Sequence, residues 1–144
     1  MSEHPVIKVT RALGKVVRGE ALVSREGFSP RYDLDRTTGL ISKIGHSLEG
    51  ESIRDKIMII PSAKGGVAAG WAFADIAEKG FALKALVFGK LNPVMVQGAV
   101  FVGMTITEGW TPNALTTIRT GDLIEVDPAA REIRIIKRAA SAQA

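Results

Sequence analysis

The stretch IIPSAKGGVAAGWAF, residues 59–73, joins an apolar strand to an apolar helix through a turn that contains two adjacent glycines. The run IMII, residues 57–60, is continuously apolar, which is typical of a strand covered on both faces, and Pro61 is expected to end that strand. Apolar residues surround most of the segment 67–79, which predicts a largely buried helix closed by a glycine. A buried strand followed by a buried helix indicates a crossover connection, and therefore an α/β fold.

Further elements on both sides of this unit fit the same class. VIKVT (residues 6–10) and KVVRGEALVS (15–24) predict short antiparallel strands, whereas residues 31–35 lack apolar periodicity and are expected to form an ordered loop or a partly exposed edge. Later in the chain, ALKALVFGK (82–90) predicts a second buried strand, and DLIEVD with REIRIIKR (122–138) predicts a hairpin.

Two later segments carry the signature of a capped helix start. Asn92 and Pro93 suit an N-cap and a first turn, so we expect a helix over residues 91–103, although its valines also suit a strand. Thr111 and Pro112 repeat the signature before a segment that closes at a glycine. MTITEG, which lies between these two segments, predicts a third short strand.

The order of elements and the composition favour a single domain spanning residues 1–144. The chain has 144 residues, of which 46% are hydrophobic and 24% are charged, which is enough to bury one core. No repeat or linker divides it. The order is mostly β first, then strand and helix in alternation, then a hairpin, which fits three layers with a parallel core and a second, antiparallel sheet. Residues 139–144 are predicted to be a disordered tail.

The composition also limits the function classes. With no cysteine and two histidines, the chain can form neither a disulfide nor a thiolate metal site, so we predict no metal ligands here and expect any iron or zinc chemistry in a partner chain. Neither a signal peptide nor a membrane span is evident, so we expect a cytoplasmic protein with no membrane partner. The net charge of +4 comes from scattered residues, and the alternation in REIRIIKR favours a solvated strand face over a nucleic-acid patch.

The glycine turn of residues 62–67 is the candidate binding site. Free N–H groups at a helix N-terminus stabilise a carboxylate or a phosphate, and Gly65, Gly66 and Val67 would present such groups. Lys64 adds a positive charge, and Ser62 supplies the nearby hydroxyl. The turn matches neither a phosphate loop nor a dinucleotide fingerprint, and glycine turns between a strand and a helix are common, so the residues alone leave both interpretations open.

Three segments together resemble the small subunit, or swivel domain, of the aconitase X family. They are GEALVS (residues 19–24), TGLISKIGHSLEGESIRDKIMIIPSAKGG (38–66) and NPVMVQGAVFVGMTI (92–106). The resemblance implies a swivelling β/β/α fold and a subunit of a dehydratase acting on a small hydroxy acid, such as cis-3-hydroxy-L-proline or a phosphorylated mevalonate. It further implies a cysteine-containing large subunit that carries an iron or iron–sulfur centre, over which the small subunit closes.

The resemblance also exposes one departure. The family turn reads Pro-Ser-Gly-Lys-Gly-Ser, and its last serine, which resembles the proton-abstracting base, falls on Gly66 here, while the next, often also serine, falls on Val67. Glycine cannot act as a general base, so Ser62 is the candidate hydroxyl in this chain unless the partner supplies the base. The alternative hypothesis is an anion-binding or regulatory swivel module that lacks catalysis.

Arg31 is a further candidate outside the turn. In a swivel domain its loop could face the partner, and an arginine there could hold a substrate carboxylate through two parallel hydrogen bonds. An ordinary surface ion pair with Asp33 or Asp35 explains Arg31 equally well. Without its partner, the chain is expected to self-associate, because the face that should be covered would then be exposed.

Overall fold

A computed structural model of the chain describes residues 6–24, 34–35, 38–42, 48–62, 83–90 and 105–139. These residues form strands and one short helix. In chain order they are β1 (Val6–Lys8), β2 (Arg11–Leu13), β3 (Val17–Val23), β4 (Leu34–Asp35), β5 (Leu40–Ile41), β6 (Lys56–Ser62), β7 (Ala85–Lys90), β8 (Thr105–Glu108), α1 (Ala114–Thr117), β9 (Leu123–Asp127) and β10 (Glu132–Lys137).

The main sheet has the strand order β1-β10-β9-β3-β6-β7-β8-β2. Strands β3, β6, β7 and β8 are parallel to one another, and β9 and β10 continue the sheet beyond β3 in antiparallel pairing. The predicted parallel core is therefore confirmed, but the antiparallel strands extend the same sheet and do not form the second sheet that was expected. The strand over residues 15–24 was expected in a purely antiparallel set, and that expectation is wrong: β3 pairs antiparallel with β9 but parallel with β6.

The two ends of this strand order are joined by the N-terminal segment. Strand β1 pairs with β10, while β2, three residues further along the chain, pairs with β8. At the junction, the N–H of Lys8 donates to the Thr111 carbonyl (2.9 Å), and the N–H of Val9 donates to the Arg131 carbonyl on the other side (3.1 Å). One continuous segment thus bonds to both ends of the sheet and closes it, so that among the described strands neither β10 nor β8 is left as a free edge.

The central parallel strands β6 and β7 are apolar on both faces, as their continuous hydrophobic runs predicted. One face contributes Ile57, Ile59, Ala85 and Val87 to a core cluster shared with β1, β9, β10 and α1. The other face is also fully buried, through the side chains of Leu22, Met58, Ile60, Leu86 and Phe88. A sheet buried on both faces needs a covering layer on each side, which is the arrangement of a three-layer β/β/α domain.

Strand β6 continues through Pro61 to Ser62 and does not end at the proline as expected. The N–H of Ser24 donates to the Ile59 carbonyl (2.9 Å), so the polar groups of Ile59 point towards β3. Two residues later, the missing N–H of Pro61 falls on the same side, beyond the last β3–β6 pair that the structure describes, Val23 with Ile59. The proline therefore costs the ladder with β7 no hydrogen bond, and that ladder extends to Ser62 with Lys90.

The start of helix α1 also differs from the expectation. Asn113, not Thr111, is the N-cap, and its side chain accepts a hydrogen bond from the N–H of Leu115 (2.9 Å). Thr111 instead exchanges backbone hydrogen bonds with Lys8, so strand pairing takes the residue that the local pattern assigned to the cap. Within the predicted loop, Leu34 and Asp35 pair with β5 as a two-stranded ribbon.

Several predicted features lie outside the described residues. These are the crossover helix of residues 67–79, the helix of residues 91–103 and most of the predicted tail. Ala139, the first residue of that tail, is described and donates its N–H to the Asp122 carboxylate (2.7 Å).

Candidate active site

The carboxyl ends of the four parallel strands meet at one rim of the sheet, which we call the carboxyl edge. Its described residues are Ser24 after β3, Ser62 at the end of β6, Lys90 at the end of β7 and Glu108 at the end of β8. The strand register aligns these ends. Ser62 of β6 is paired with Lys90 of β7, and Phe88, two residues before Lys90, is paired with Glu108 of β8. In both open and closed α/β folds, ligands bind at the carboxyl ends of the parallel strands, so the carboxyl edge is the candidate active site.

Of the residues predicted from the sequence, the structure describes the backbone of one. Ser62 is the last residue of β6, so the predicted glycine turn starts at the carboxyl edge. Lys64, Gly65, Gly66 and Val67 lie outside the described residues, as does Arg31, and their roles remain predictions.

Trp110 packs beneath the carboxyl edge and was not singled out by the sequence. It is half-buried and packs against the core cluster. A Cβ placed on Gly89 would lie 2.8 Å from the Trp110 ring and 2.9 Å from the Pro61 carbonyl oxygen, so only glycine fits between them. The indole ring therefore lies against the strand ends that lead into the turn. The signal in the sequence was the pair Gly109 and Trp110 at the end of the predicted strand MTITEG. Gly109 has a φ of 80°, which favours glycine at that position.

A fully buried carboxylate fixes the turn before β9. Asp122 accepts hydrogen bonds from the Arg119 N–H (2.9 Å), the Ala139 N–H (2.7 Å) and Arg138 Nη1 (2.9 Å). The guanidinium of Arg138 also donates to the Thr117 carbonyl at the end of α1 (2.8 Å). One ion pair thus ties together α1, the turn of residues 119–122 and the end of β10.

This turn belongs to the carboxyl edge. The hydroxyl of Thr120 accepts a hydrogen bond from the N–H of Val23, the last residue of β3 (2.9 Å). Backbone bonds from Gly121 to Ala21 and from Ala21 to Asp122 (both 2.9 Å) continue the contact along β3. Sequence reasoning missed Asp122 because its partners are separated from it along the chain and no motif marks them.

The basic hairpin REIRIIKR forms an ion-pair network on the antiparallel strands. Arg134 contacts the carboxylates of Glu125 (3.0 Å), Asp127 (3.2 Å) and Glu132 (3.2 Å), and Lys8 pairs with Glu132 from β1. The hydrogen bond between Arg134 and Asp127 is the main cause of the raised pKa of Arg134. The charge of Arg134 is therefore compensated within the sheet, as a solvated strand face requires.

The same network lowers the pKa of two carboxyl groups. The pKa of Asp127 lies below its ordinary value mainly because its carboxylate accepts a hydrogen bond from the Ala130 N–H, with Arg134 as the next cause. The pKa of Glu132 is lowered mainly by its hydrogen bond from Lys8. Both groups lie on the antiparallel part of the sheet, away from the carboxyl edge.

Nothing in the described part of the chain fits a metal centre. The described residues contain no group of three or more His, Asp or Glu side chains that could hold a metal ion, and the whole sequence has no cysteine. Within the same described ranges, no helix is both long and apolar enough to cross a bilayer.

Comparisons with known proteins agree with this architecture over nearly the whole chain. A family model described as the aconitase X swivel domain matches residues 6–135. The chain is 30% identical over 129 residues to the phosphomevalonate dehydratase small subunits of Thermococcus sibiricus and Methanocella arvoryzae, which covers 90% of this chain and 97% and 98% of theirs. A crystal structure of Thermococcus kodakaraensis aconitase X in its holo-form superposes with a TM-score of 0.84 at 25% identity, covering 92% of this chain and 99% of that one.

Proposed function

Because the chain belongs to the aconitase X swivel-domain family, we propose that it is the small subunit of a two-chain cytoplasmic dehydratase that removes water from a phosphorylated hydroxy acid. The observation that carries this proposal is the end-to-end match to phosphomevalonate dehydratase small subunits, which leaves no additional domain in those relatives unaccounted for. The relatives are hydro-lyase subunits, and a small subunit requires a large one.

In this proposal the metal centre belongs to the large subunit. No residues in the described part of this chain fit such a centre, and cysteine is missing from the sequence. An iron centre there would act as the Lewis acid that polarises the leaving hydroxyl. This chain contributes the carboxyl edge, where the turn after β6 binds the substrate carboxylate through Gly65, Gly66 and Val67 and through the charge of Lys64.

Ser62 is the proposed general base, because its position at the end of β6 supplies a hydroxyl at the start of the turn. Ser62→Ala should lower kcat of the reconstituted complex by at least about 100-fold, the usual contribution of a positioned base. Ser52→Ala is the matched control, since Ser52 precedes the opposite end of β6. A rate unchanged by Ser62→Ala would remove this hydroxyl from the mechanism.

The second candidate function is a non-catalytic swivel module that binds an anion. The observation that favours it is Gly66, at the position where the family resemblance implies a serine. Gly66→Ser, compared with Gly65→Ser as control, distinguishes the two functions. If the complex with the wild-type chain is inactive and Gly66→Ser restores turnover, the wild-type chain is the non-catalytic module. If the complex with the wild-type chain is active, the non-catalytic function is ruled out.

Affinity capture from native extract is the first test of the assembly. A tagged chain should co-purify with a cysteine-containing, iron-bearing large subunit at near equal stoichiometry, and this complex should dehydrate a phosphorylated hydroxy acid. Recovery of the chain alone, or as a homo-oligomer, at low and high salt would contradict the two-chain enzyme.

A further inference from the structure

The arginines that the structure describes fall into two groups. Most have a partner: Arg11, Arg18, Arg134 and Arg138 form ion pairs with carboxylates of neighbouring elements, and Arg54 also has an interaction partner. Arg119 and Arg131 are exposed, and neither forms an ion pair with another residue that the structure describes. They lie at opposite edges of the sheet, Arg119 at the carboxyl edge and Arg131 in the turn between β9 and β10.

The backbone of Arg119 is fixed although its side chain is exposed. Its N–H donates to the buried Asp122 carboxylate (2.9 Å), and its carbonyl accepts from the Asp122 N–H (3.0 Å). Thr120, the next residue, holds the turn against Val23. Because Arg138 neutralises Asp122, the charge that this turn presents to solvent is the guanidinium of Arg119. These contacts fix the point on the carboxyl edge from which the guanidinium extends.

The strand order sets the distance from Arg119 to β6, the strand that precedes the glycine turn. The turn of residues 119–122 flanks β3 on the side away from β6, so it lies two strand spacings, roughly 10 Å, from β6. An extended arginine side chain spans a large part of that distance. A substrate with one anionic group in the turn after β6 could therefore place a second anionic group at Arg119.

We propose that Arg119 forms a second anion subsite, which binds the phosphate of the substrate while the glycine turn binds its carboxylate. This inference rests on the proposed function, because it concerns a substrate with two anionic groups. Arginine suits the role, since its planar guanidinium donates two parallel hydrogen bonds to phosphate. Lys137, exposed at the same end of β10 and opposite Leu123, adds positive charge to this edge.

Kinetics of matched charge removals test the subsite. In the complex with the large subunit, Arg119→Gln should raise KM for the phosphorylated substrate by roughly 10- to 100-fold, the effect of losing a charged hydrogen bond, with a smaller change in kcat. Arg131→Gln removes the same charge at the opposite edge and should leave KM unchanged. Arg119→Lys should recover part of the affinity, and an unphosphorylated analogue should show no difference between wild type and Arg119→Gln.

Each result separates this subsite from the proposed function. If the wild-type complex turns over the substrate but Arg119→Gln and Arg131→Gln raise KM equally, the subsite is wrong and the dehydratase function stands. If the wild-type complex is inactive on phosphorylated hydroxy acids, the proposed function fails, and an NMR titration of the full chain with inorganic phosphate then decides. Shifts centred on residues 119–122 would support an anion site, whereas no shifts, or equal shifts at Arg131, would refute it.

Discussion

Replacing Asp122 with alanine should be among the most destabilising single changes in the described part of the chain. The carboxylate is 0% exposed and accepts three hydrogen bonds, two from backbone N–H groups and one from Arg138. Each hydrogen bond to a charged group contributes roughly 1.5 to 3 kcal/mol, which gives about 5 to 9 kcal/mol as an upper bound. Arg138 retains its bond to the Thr117 carbonyl and is 30% exposed, so water replaces part of the loss.

The expected loss in the free energy of unfolding is therefore about 3 to 5 kcal/mol, as is usual when one partner of a buried ion pair is removed. For a domain of this size that corresponds to a fall in Tm of roughly 10 °C or more. Urea denaturation followed by circular dichroism measures it, with the m-value checked for constancy.

Two comparisons make the Asp122 prediction specific. Glu20→Gln breaks the surface pair of Glu20 with Lys56, in which the Glu20 side chain is 53% exposed, and should cost less than about 1 kcal/mol. A double-mutant cycle of Asp122→Ala with Arg138→Met should show a coupling energy of at least about 1 kcal/mol. A loss for Asp122→Ala no larger than that of Glu20→Gln would refute the assignment of Asp122 as the anchor of this turn.

Two further changes have expected outcomes. The lowered pKa values of Asp127 and Glu132 mean that their stabilising contribution is complete above their unfolded pKa values and is lost as pH falls through the folded ones, from about pH 5 downwards. Arg134→Met should flatten this acid-side loss in urea unfolding at pH 7, 5 and 3.5, and an unchanged slope would count against the network. Asn113→Ala removes the cap of α1 and should cost about 1 kcal/mol by the same assay, whereas Asn113→Ser should be nearly neutral.

Local sequence patterns predicted the elements well where one strand or turn decides the structure. The apolar run before Pro61 predicted a strand buried on both faces, and the hairpin of residues 122–138 formed as expected. The same patterns misjudged Pro61 and the cap at Thr111. Both errors have one cause, which is that a distant strand decides the role of the residue. Pro61 can stay in β6 because no described strand pair needs its N–H, and Thr111 cannot cap the helix because its backbone pairs with Lys8.

The candidate site divides in the same way. From the sequence, Ser62 was expected just after a buried strand, and the structure places it as the last residue of that strand. Trp110 against the strand ends and the Asp122 anchor could not be predicted, because each acts through residues that are remote in the chain. Asp122 and Arg138 are separated by 16 positions and carry no shared motif.

The sequence by itself determined the fold class, the family and the absence of a thiolate metal site, since hydrophobic periodicity, motif order and composition are properties of short segments. Only the tertiary structure decided that residues 6–13 bond to both ends of the sheet and close it. It alone decided that Arg134 is compensated by three carboxylates while Arg119 is exposed at the carboxyl edge without such a partner among the described residues. The reason is that a charge is neutralised or left available by neighbours in space, and the long-range pairing of strands sets those neighbours.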